Sequence, residues 1–571
     1  MITVILNWLY IAITSFVTGF AVLSFFSGIF NTNEKKTIYC IWAGLVVNTV
    51  YAEFWSLFGG VGVAANIVLI VTVIVLIGFM RKEMAVCLQE TLERINEVSA
   101  LRYVYVTVLL LMVYGTSRGY IHVDTSIYHA QSIRWIEEYG IVKGLACLQL
   151  RFGYNSAAFA LTALYSFKDL LGQSLHTTAG FFVLLGAIHT VDLYKIFTTR
   201  KVRHSDFIRL GLLFYIGLIY KEMVSPASDY YAQILIFVII ISWLDAIDEN
   251  RSEYAFSMLA ILAVYAATIK FSIALLVLLT IKPAALMIKK KQGSQIICSL
   301  CGGTIVLLPF LIRNVLISGW LIYPSTFLDL FNPDWKIPKG VAEYDAMEIG
   351  LYGKGITDVT RYDTPMSEWV PAWFSQMSLI EKGWVVLTCI GLVVGTVYMI
   401  RCFVKKKLDH DKLLMWVVLA AACLFWFFSA PLVRYGYGYL TTVPLFADGL
   451  LCLEMTKKTG DEKSLYIAFL IIFAFISAYR IKTVGYDIIT TVKEPYYLSQ
   501  KDYIDWPADV RELNGYDFYV PKEDGMIGYD PFPSSMFVID VQMRGITLED
   551  GFRFSDYNKW LEQNSKTLNA Q

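Results

Sequence analysis

The chain has little charge. Asp, Glu, Lys and Arg make up 17% of its 571 residues, against 56% hydrophobic residues, whereas soluble domains carry about 25% charge. That shortage excludes an ordinary soluble globule and leaves a multi-span membrane protein as the class that fits. Basic and acidic side chains balance at 48 each, so the surplus of basic residues typical of a nucleic-acid binder is missing and no such partner is expected. Cysteine is sparse: nine residues, scattered and mostly inside apolar runs. Cys298 and Cys301 have ligand-like spacing but no second pair, and a structural zinc site takes four ligands. Only Cys147 falls in the segments assigned below to the outer side, which excludes a disulfide framework there. HExxH, GxSxG and Walker patterns are also lacking, and with them the usual signals for a zinc protease, a serine hydrolase or a nucleotide site. The first apolar run, residues 2–30, has no basic leader and no small-residue cleavage site, so it reads as a retained helix.

What the chain does have is long apolar runs. About fourteen are of a length to cross a hydrocarbon core of roughly 30 Å, near residues 3–30, 38–58, 62–80, 103–113, 177–197, 207–222, 228–245, 254–268, 270–288, 295–312, 382–401, 412–430, 437–454 and 464–480. Ala158–Phe167 is also apolar, but counting it as a span would turn the next basic loop outward, against the positive-inside rule. Reading residues 145–170 as interfacial helices lying on the membrane places the basic loops 288–292, 401–412 and 455–463 together on the cytoplasmic side. The expected fold is an all-α polytopic membrane protein with a small C-terminal α+β extracytoplasmic domain. Three N-terminal helices occupy residues 1–100. A membrane core follows over 101–480, with large outer loops at 117–176 and 313–380, and the tail domain spans 481–571. The tail run FVIDVQMRG alternates as a strand does.

Reactive side chains crowd into GYIHVDTSIYHAQSIRWIEEYGIVKGLACLQLRFGYNS, residues 119–156. Polar groups held against a membrane surface are functional candidates. On a helix, Asp124, Tyr128, Gln131 and Trp135 share one face, because steps of four, three and four keep a period of 3.6. That face suits sugar binding, with Asp124 as a catalytic base; Asp124 also fits the role of a helix N-cap. His129 lies on the Ile133 side and reads equally as a buried, hydrogen-bonded histidine. Arg134 with Glu137 and Glu138 reads as a substrate contact or a solvated edge with helix-spaced pairing. Arg151 and Asn155 either clamp an acceptor or tie down the loop. Further along, SPASDYY offers Asp229, TIKFS places Lys270 in apolar surroundings, and VRYGYG sets Arg434 beside Tyr435. Arginine matches phosphate oxygens bidentately; the structural alternative for Arg434 is an interfacial anchor. Arg313 opens the second large loop.

This arrangement resembles the GT-C superfamily of polyprenyl-phosphate-dependent glycosyltransferases, over roughly residues 101–480. Those enzymes carry an aspartate in a first outer loop of interfacial helices and a second large loop after the seventh core span. The resemblance puts Asp124 of VDTSIYH at the first-loop aspartate and Asp229 at a second acidic position. Lys270 and Arg434 then resemble phosphate-binding positions. Two departures stand out: three extra spans precede the core, and DTS replaces a paired acidic motif, so the pattern neither requires nor excludes a divalent metal. Segments of the DTxxYH and RYGxG type also resemble bacterial envelope proteins. The implied activity is inverting transfer of a sugar from a polyprenyl-phosphate carrier to a glycan, lipid or protein acceptor. The implied setting is the outer face of a cytoplasmic (inner) membrane, with membrane lipid as a partner. Other readings are a polysaccharide polymerase or ligase, a lipid-linked oligosaccharide flippase or transporter, and an envelope-assembly scaffold.

Overall fold

A computed structural model describes residues 1–522, 524–536 and 541–555. Among these, eleven helices are long and apolar enough to cross a membrane, because a run of ~20 apolar residues must satisfy its backbone internally when it leaves water. The chain is an all-α multi-pass membrane protein with very little sheet. In order, the helices are α1 (Ile2–Phe30), α2 (Thr37–Trp55), α3 (Val63–Glu97), α4 (Ser99–Ser117), α5 (Ala130–Glu138), α6 (Ala157–Leu164), α7 (Thr178–Val191), α8 (His204–Leu218), α9 (Ser228–Asp248) and α10 (Glu253–Ile269). A 3-10 stretch, Phe271–Thr280, runs into α11 (Ile281–Lys289). Then come α12 (Gly293–Ser318), α13 (Lys339–Gly353), α14 (Leu379–Val404), α15 (His410–Ser429), α16 (Val433–Thr459) and α17 (Glu462–Thr491).

Eleven, rather than about fourteen, reflects three of the expected runs. Helices α8 and α10 have 15 and 17 residues, and α16 is long but rich in Gly, Tyr and Thr and charged near its end. Each packs against longer neighbours: α8 and α9 against α16, and α10 against α9 and α12. Small residues bring α1 and α2 together. A Cβ on Gly19 would stand 1.9 Å from the Cys40 carbonyl oxygen, and one on Gly44 1.7 Å from that of Ser15, so the two backbones touch as in small-residue membrane crossings.

Helix hairpins alternate between two ends. At one end the N-terminal ammonium donates to the Tyr496 and Ser499 carbonyls at 2.8 and 2.9 Å, and Lys501 N–H donates to Ser117 O at 2.8 Å. The first and second large loops and the tail gather there. At the other end Lys290 pairs with Glu253 at 2.7 Å and Arg203 with Asp206 at 3.0 Å, among the basic loops.

Within the segment 145–170, expected to lie on the membrane surface, residues 157–164 are instead enclosed by the helix bundle. Helix α6 is buried along its whole length, and its eight residues span about 12 Å, too little to cross. Its terminal carbonyls explain the burial: Asn7 Nδ2 donates to Tyr165 O at 2.8 Å and Asn66 Nδ2 to Leu164 O at 2.9 Å, so neighbouring spans supply the partners that water would give.

The last helix continues to Thr491, past the boundary read at 481. Beyond it, β1 (Ala508–Leu513) and β2 (Tyr516–Pro521) form an antiparallel hairpin, turned by Asn514 and Gly515 at φ 52° and 83°, the pair a tight hairpin turn favours. Strands β3 (Val541–Met543) and β4 (Phe552–Phe554) pair likewise. Residues 537–540 of the run FVIDVQMRG lie outside the described residues. Phe518, Val541 and Phe552 pack onto Trp135, Leu145 and Trp320, so the tail and both large loops share one apolar core.

Candidate functional site

Helix ends from distant parts of the chain meet at the loop-bearing end. Asp124 stands just before a π-helical turn, Thr125–His129, that leads into α5. Asp229 lies in the first turn of α9. Lys270 is an extended residue (φ −154°, ψ 122°) at which α10 gives way to the 3-10 stretch. Arg434 is the second residue of α16. Pro226 and Pro431 precede the last two helix starts, where a proline stops the preceding segment from continuing as helix.

Arg434 sits at the centre of the cluster. Its Nη2 donates to Asp124 Oδ2 at 2.7 Å, its Nε faces Asp229 Oδ2 at 3.5 Å, and its Nη1 touches His122 Nε2. Lys270 pairs with Asp229 Oδ1, and its ammonium lies 4.0 Å from the Tyr435 ring centroid, a cation–π distance. Arg434 Nη2 also donates to the Tyr435 hydroxyl at 3.3 Å. His122 Nδ1 accepts the backbone N–H of Asp124 at 3.1 Å. Asp229 is buried at 7% side-chain exposure, while Asp124, Lys270 and Arg434, at 22%, 21% and 27%, reach the surface.

These contacts set the charges. Burial works to raise Asp124, but the Arg434 guanidinium, the imidazoles of His129 and His122, and Arg151 outweigh it and hold the carboxyl below the ordinary carboxylate range. Burial and Arg434 push His122 down, so its ring is neutral at pH 7. Burial lowers His129 to about 3. Arg151, half-buried, lies within electrostatic reach of Tyr154, Asp124 and Tyr128; among the described residues no ion pair or hydrogen bond engages its side chain. Asp124 and Asp229 thus face Arg434 and Lys270, with Arg151 bordering them, while Glu348 and Glu222 stand within electrostatic reach of Arg151 and His122.

The candidates divide into three groups. Asp124, Asp229, Lys270, Arg434 and Tyr435 form the cluster, and Tyr128 and Arg151 border it. Gln131, Arg134 and Trp135 instead fasten the tail. Gln131 Nε2 donates to the carbonyls of Gly528, Tyr529 and Pro531 at 3.0–3.1 Å, Arg134 to those of Tyr529 and Asp530, and Trp135 is fully buried against Phe532. The shared face expected for residues 124, 128, 131 and 135 is broken because the π turn inserts a residue into the helical period. His129 is buried, with Nδ1 3.2 Å from Thr125 Oγ1. Asn155 and Arg313 form a separate buried network: Arg313 Nε donates to Asn155 Oδ1 at 3.1 Å and lies 3.9 Å from Glu53 Oε1. Asp124 makes no N-cap hydrogen bond; its carboxylate is turned to Arg434.

Two members of these networks were not among the candidates, and only Glu53 carried a legible signal. Glu53 is a lone acid in an apolar run, TVYAEFW, which calls for a partner. His122 stands two residues before Asp124 in HVD, a spacing that the helical period does not single out. Among the described residues no group of three or more His, Cys, Asp and Glu is arranged to hold a metal ion.

A family model described as a domain of unknown function (DUF8201) matches residues 1–441, a stretch that holds the whole cluster and ends before the tail. No curated protein and no solved structure matches the chain.

Proposed function

The chain belongs to the DUF8201 family, and we propose that it is an integral-membrane glycosyltransferase that moves a sugar from a polyprenyl-phosphate carrier to an acceptor outside the cytoplasmic membrane. The observation that supports this reading best is the meeting of Asp124, Asp229, Lys270 and Arg434 in one run of ion pairs at helix ends. A reaction that expels a lipid phosphate needs cations where negative charge grows and a carboxylate where a hydroxyl gives up its proton. The cations Arg434 and Lys270, with Arg151 at the border, suit a phosphate. Clustering of the basic loops at the opposite end favours an outward-facing site.

The pairing also suggests an order of events. Arg434 holds Asp124 as a weak base. An incoming phosphate competes for the guanidinium, and withdrawal of Arg434 from Asp124 raises the basicity of that carboxylate. The acceptor hydroxyl then gives its proton to Asp124 as its oxygen bonds to the anomeric carbon. The carbon–oxygen bond to the carrier phosphate breaks on the opposite face, and Arg434 and Lys270 receive the leaving phosphate. The configuration at the anomeric carbon inverts.

The test is transfer by the full chain, reconstituted in vesicles, from a panel of radiolabelled polyprenyl-phosphate sugars. Asp124→Asn should lower transfer by about 10²–10⁴-fold while leaving the protein folded by thermal melt. Unchanged transfer excludes the base role. Movement of intact lipid-linked oligosaccharide without transfer excludes the enzyme reading.

A further inference from the structure

Far from the charged cluster, between α1, α2, α9, α10 and α12, lies a groove of about 390 Å³. Its walls are apolar, formed by side chains such as Leu23, Val46, Ala255, Leu262 and Val306. Gly302 keeps one wall thin: a Cβ there would stand 2.9 Å from Phe26 and 3.0 Å from Ile261. Along α2 the lining runs from Tyr39 to Val50, eleven helical rises or about 16 Å. That is about half of a ~30 Å hydrocarbon core, the depth of one leaflet. Phe25 and Ile305, on the rim, are 65% and 60% exposed, so the groove opens sideways toward lipid.

Its mouth, at the basic end, is polar in a particular way. The Lys36 ammonium and the Arg251 guanidinium each lie 5.5 Å from the ring centroid of Tyr39, a lining residue. Arg251 is paired with Glu249; among the described residues Lys36 has no carboxylate within ion-pair distance. Glu34, also in the lining, accepts from Ser252 Oγ at 3.2 Å through Oε1, but its Oε2 is buried with no partner. A buried acceptor left unpaired is costly and rare. The mouth thus combines cations for an anionic oxygen with one acceptor that needs a donor.

We propose that this groove seats one acyl chain of a phospholipid whose zwitterionic head bears a primary ammonium, as in phosphatidylethanolamine. The phosphate sits by Lys36 and Arg251, and the ammonium donates to Glu34 Oε2. A choline head carries the same charge but no N–H to donate, and a glycerol head brings no cation to the carboxylate. The headgroup is therefore what the site selects.

Native mass spectrometry of the full chain, released from nanodiscs of equimolar phosphatidylethanolamine, phosphatidylglycerol and phosphatidylcholine, tests this directly. The expected result is retention of the ethanolamine lipid over the choline lipid by about tenfold, the worth of a charge-assisted hydrogen bond. Glu34→Gln should erase most of that preference without removing bound lipid, and Ala255→Trp should remove the lipid by filling the groove. Equal retention of the three lipids, a preference for the glycerol lipid, or retention unaffected by Ala255→Trp overturns the proposal. So does a groove found to hold a polyprenyl phosphate carried through purification. Because Glu34→Gln is close to isosteric, the loss or survival of headgroup preference can be read even where the tryptophan variant misfolds.

Discussion

At Asp124 two influences of opposite sign meet. Burial favours the protonated acid, and the Arg434 guanidinium, together with the other basic groups around it, favours the carboxylate and outweighs it. A depressed folded-state value adds stability above the unfolded carboxyl's value of about 3.9, and that stability is lost as pH falls through the lower folded value. Activity that needs the ionised carboxylate should therefore persist into the ordinary carboxylate range before its acid limb appears. Arg434→Gln removes the largest opposing charge and leaves burial to dominate, so the acid limb of residual transfer should move to higher pH. A pH–rate profile of the two proteins checks this, and an unmoved limb assigns it to another group. Asp124 and Arg434 were legible one by one, since a carboxylate beside a helix start and an arginine among tyrosines stand out against apolar sequence. Their bond was not, because 310 residues separate them and a single sequence carries no trace of that contact. His122 was harder still: its link to Asp124 runs through a backbone N–H, which any residue could supply.

Among the elements, the α1–α2 crossing and the π turn show two ways a helix departs from its average pattern. Gly44 stands where main chain meets main chain, 1.7 Å from Ser15 O for a notional Cβ, and backbone has no rotamer by which to yield. Gly44→Ala should lower the melting temperature of the detergent-solubilised protein, at a cost of about 1–3 kcal/mol for an overpacked contact. Gly28→Ala on the same bundle, with nothing within 4 Å, should be neutral or slightly stabilising, since alanine is the better helix former; an equal loss at both sites would mean that the crossing is not what Gly44→Ala measures. Helix existence was readable from apolar length almost throughout. The enclosure of α6 is not legible from hydropathy, which reports what a segment avoids, while Asn7 and Asn66, which let it sink into the bundle, lie far from it in sequence. The π turn hid the true facing of Gln131 and Trp135 for a related reason: periodicity assumes a constant turn. A tail latch follows from their real position. Glu137 is buried and accepts from the hydroxyls of Tyr529 and, at 2.7 Å, Ser174. Tyr529→Phe leaves that carboxyl short of a donor, at about 1–3 kcal/mol, and limited proteolysis should cut the tail faster while the helices stay intact.

Over the whole molecule, the two ends differ in what holds them. One end carries the large loops, the tail and the Asp124–Arg434–Asp229–Lys270 run, where nearly every cation has a carboxylate beside it. The other carries lysine-rich turns at residues 288–292 and 405–407, where among the described residues Lys290 is the only lysine with an acidic partner, Glu253. Insertion retains short loops rich in Lys and Arg on the cytoplasmic side, because their excess charge, and not paired charge, opposes translocation. The lysine-rich turns should therefore face the cytoplasm and the charged cluster should face away, even though both ends hold many ionic groups. A membrane-impermeant maleimide on intact cells distinguishes the two. A cysteine at Asn514, in the tail's hairpin turn, should label without lysis, and one at Lys406, between α14 and α15, should label only after lysis. The reverse pattern would put the cluster in the cytosol, where a carrier-linked donor facing outward could not reach it, and transferase chemistry there would need a different donor.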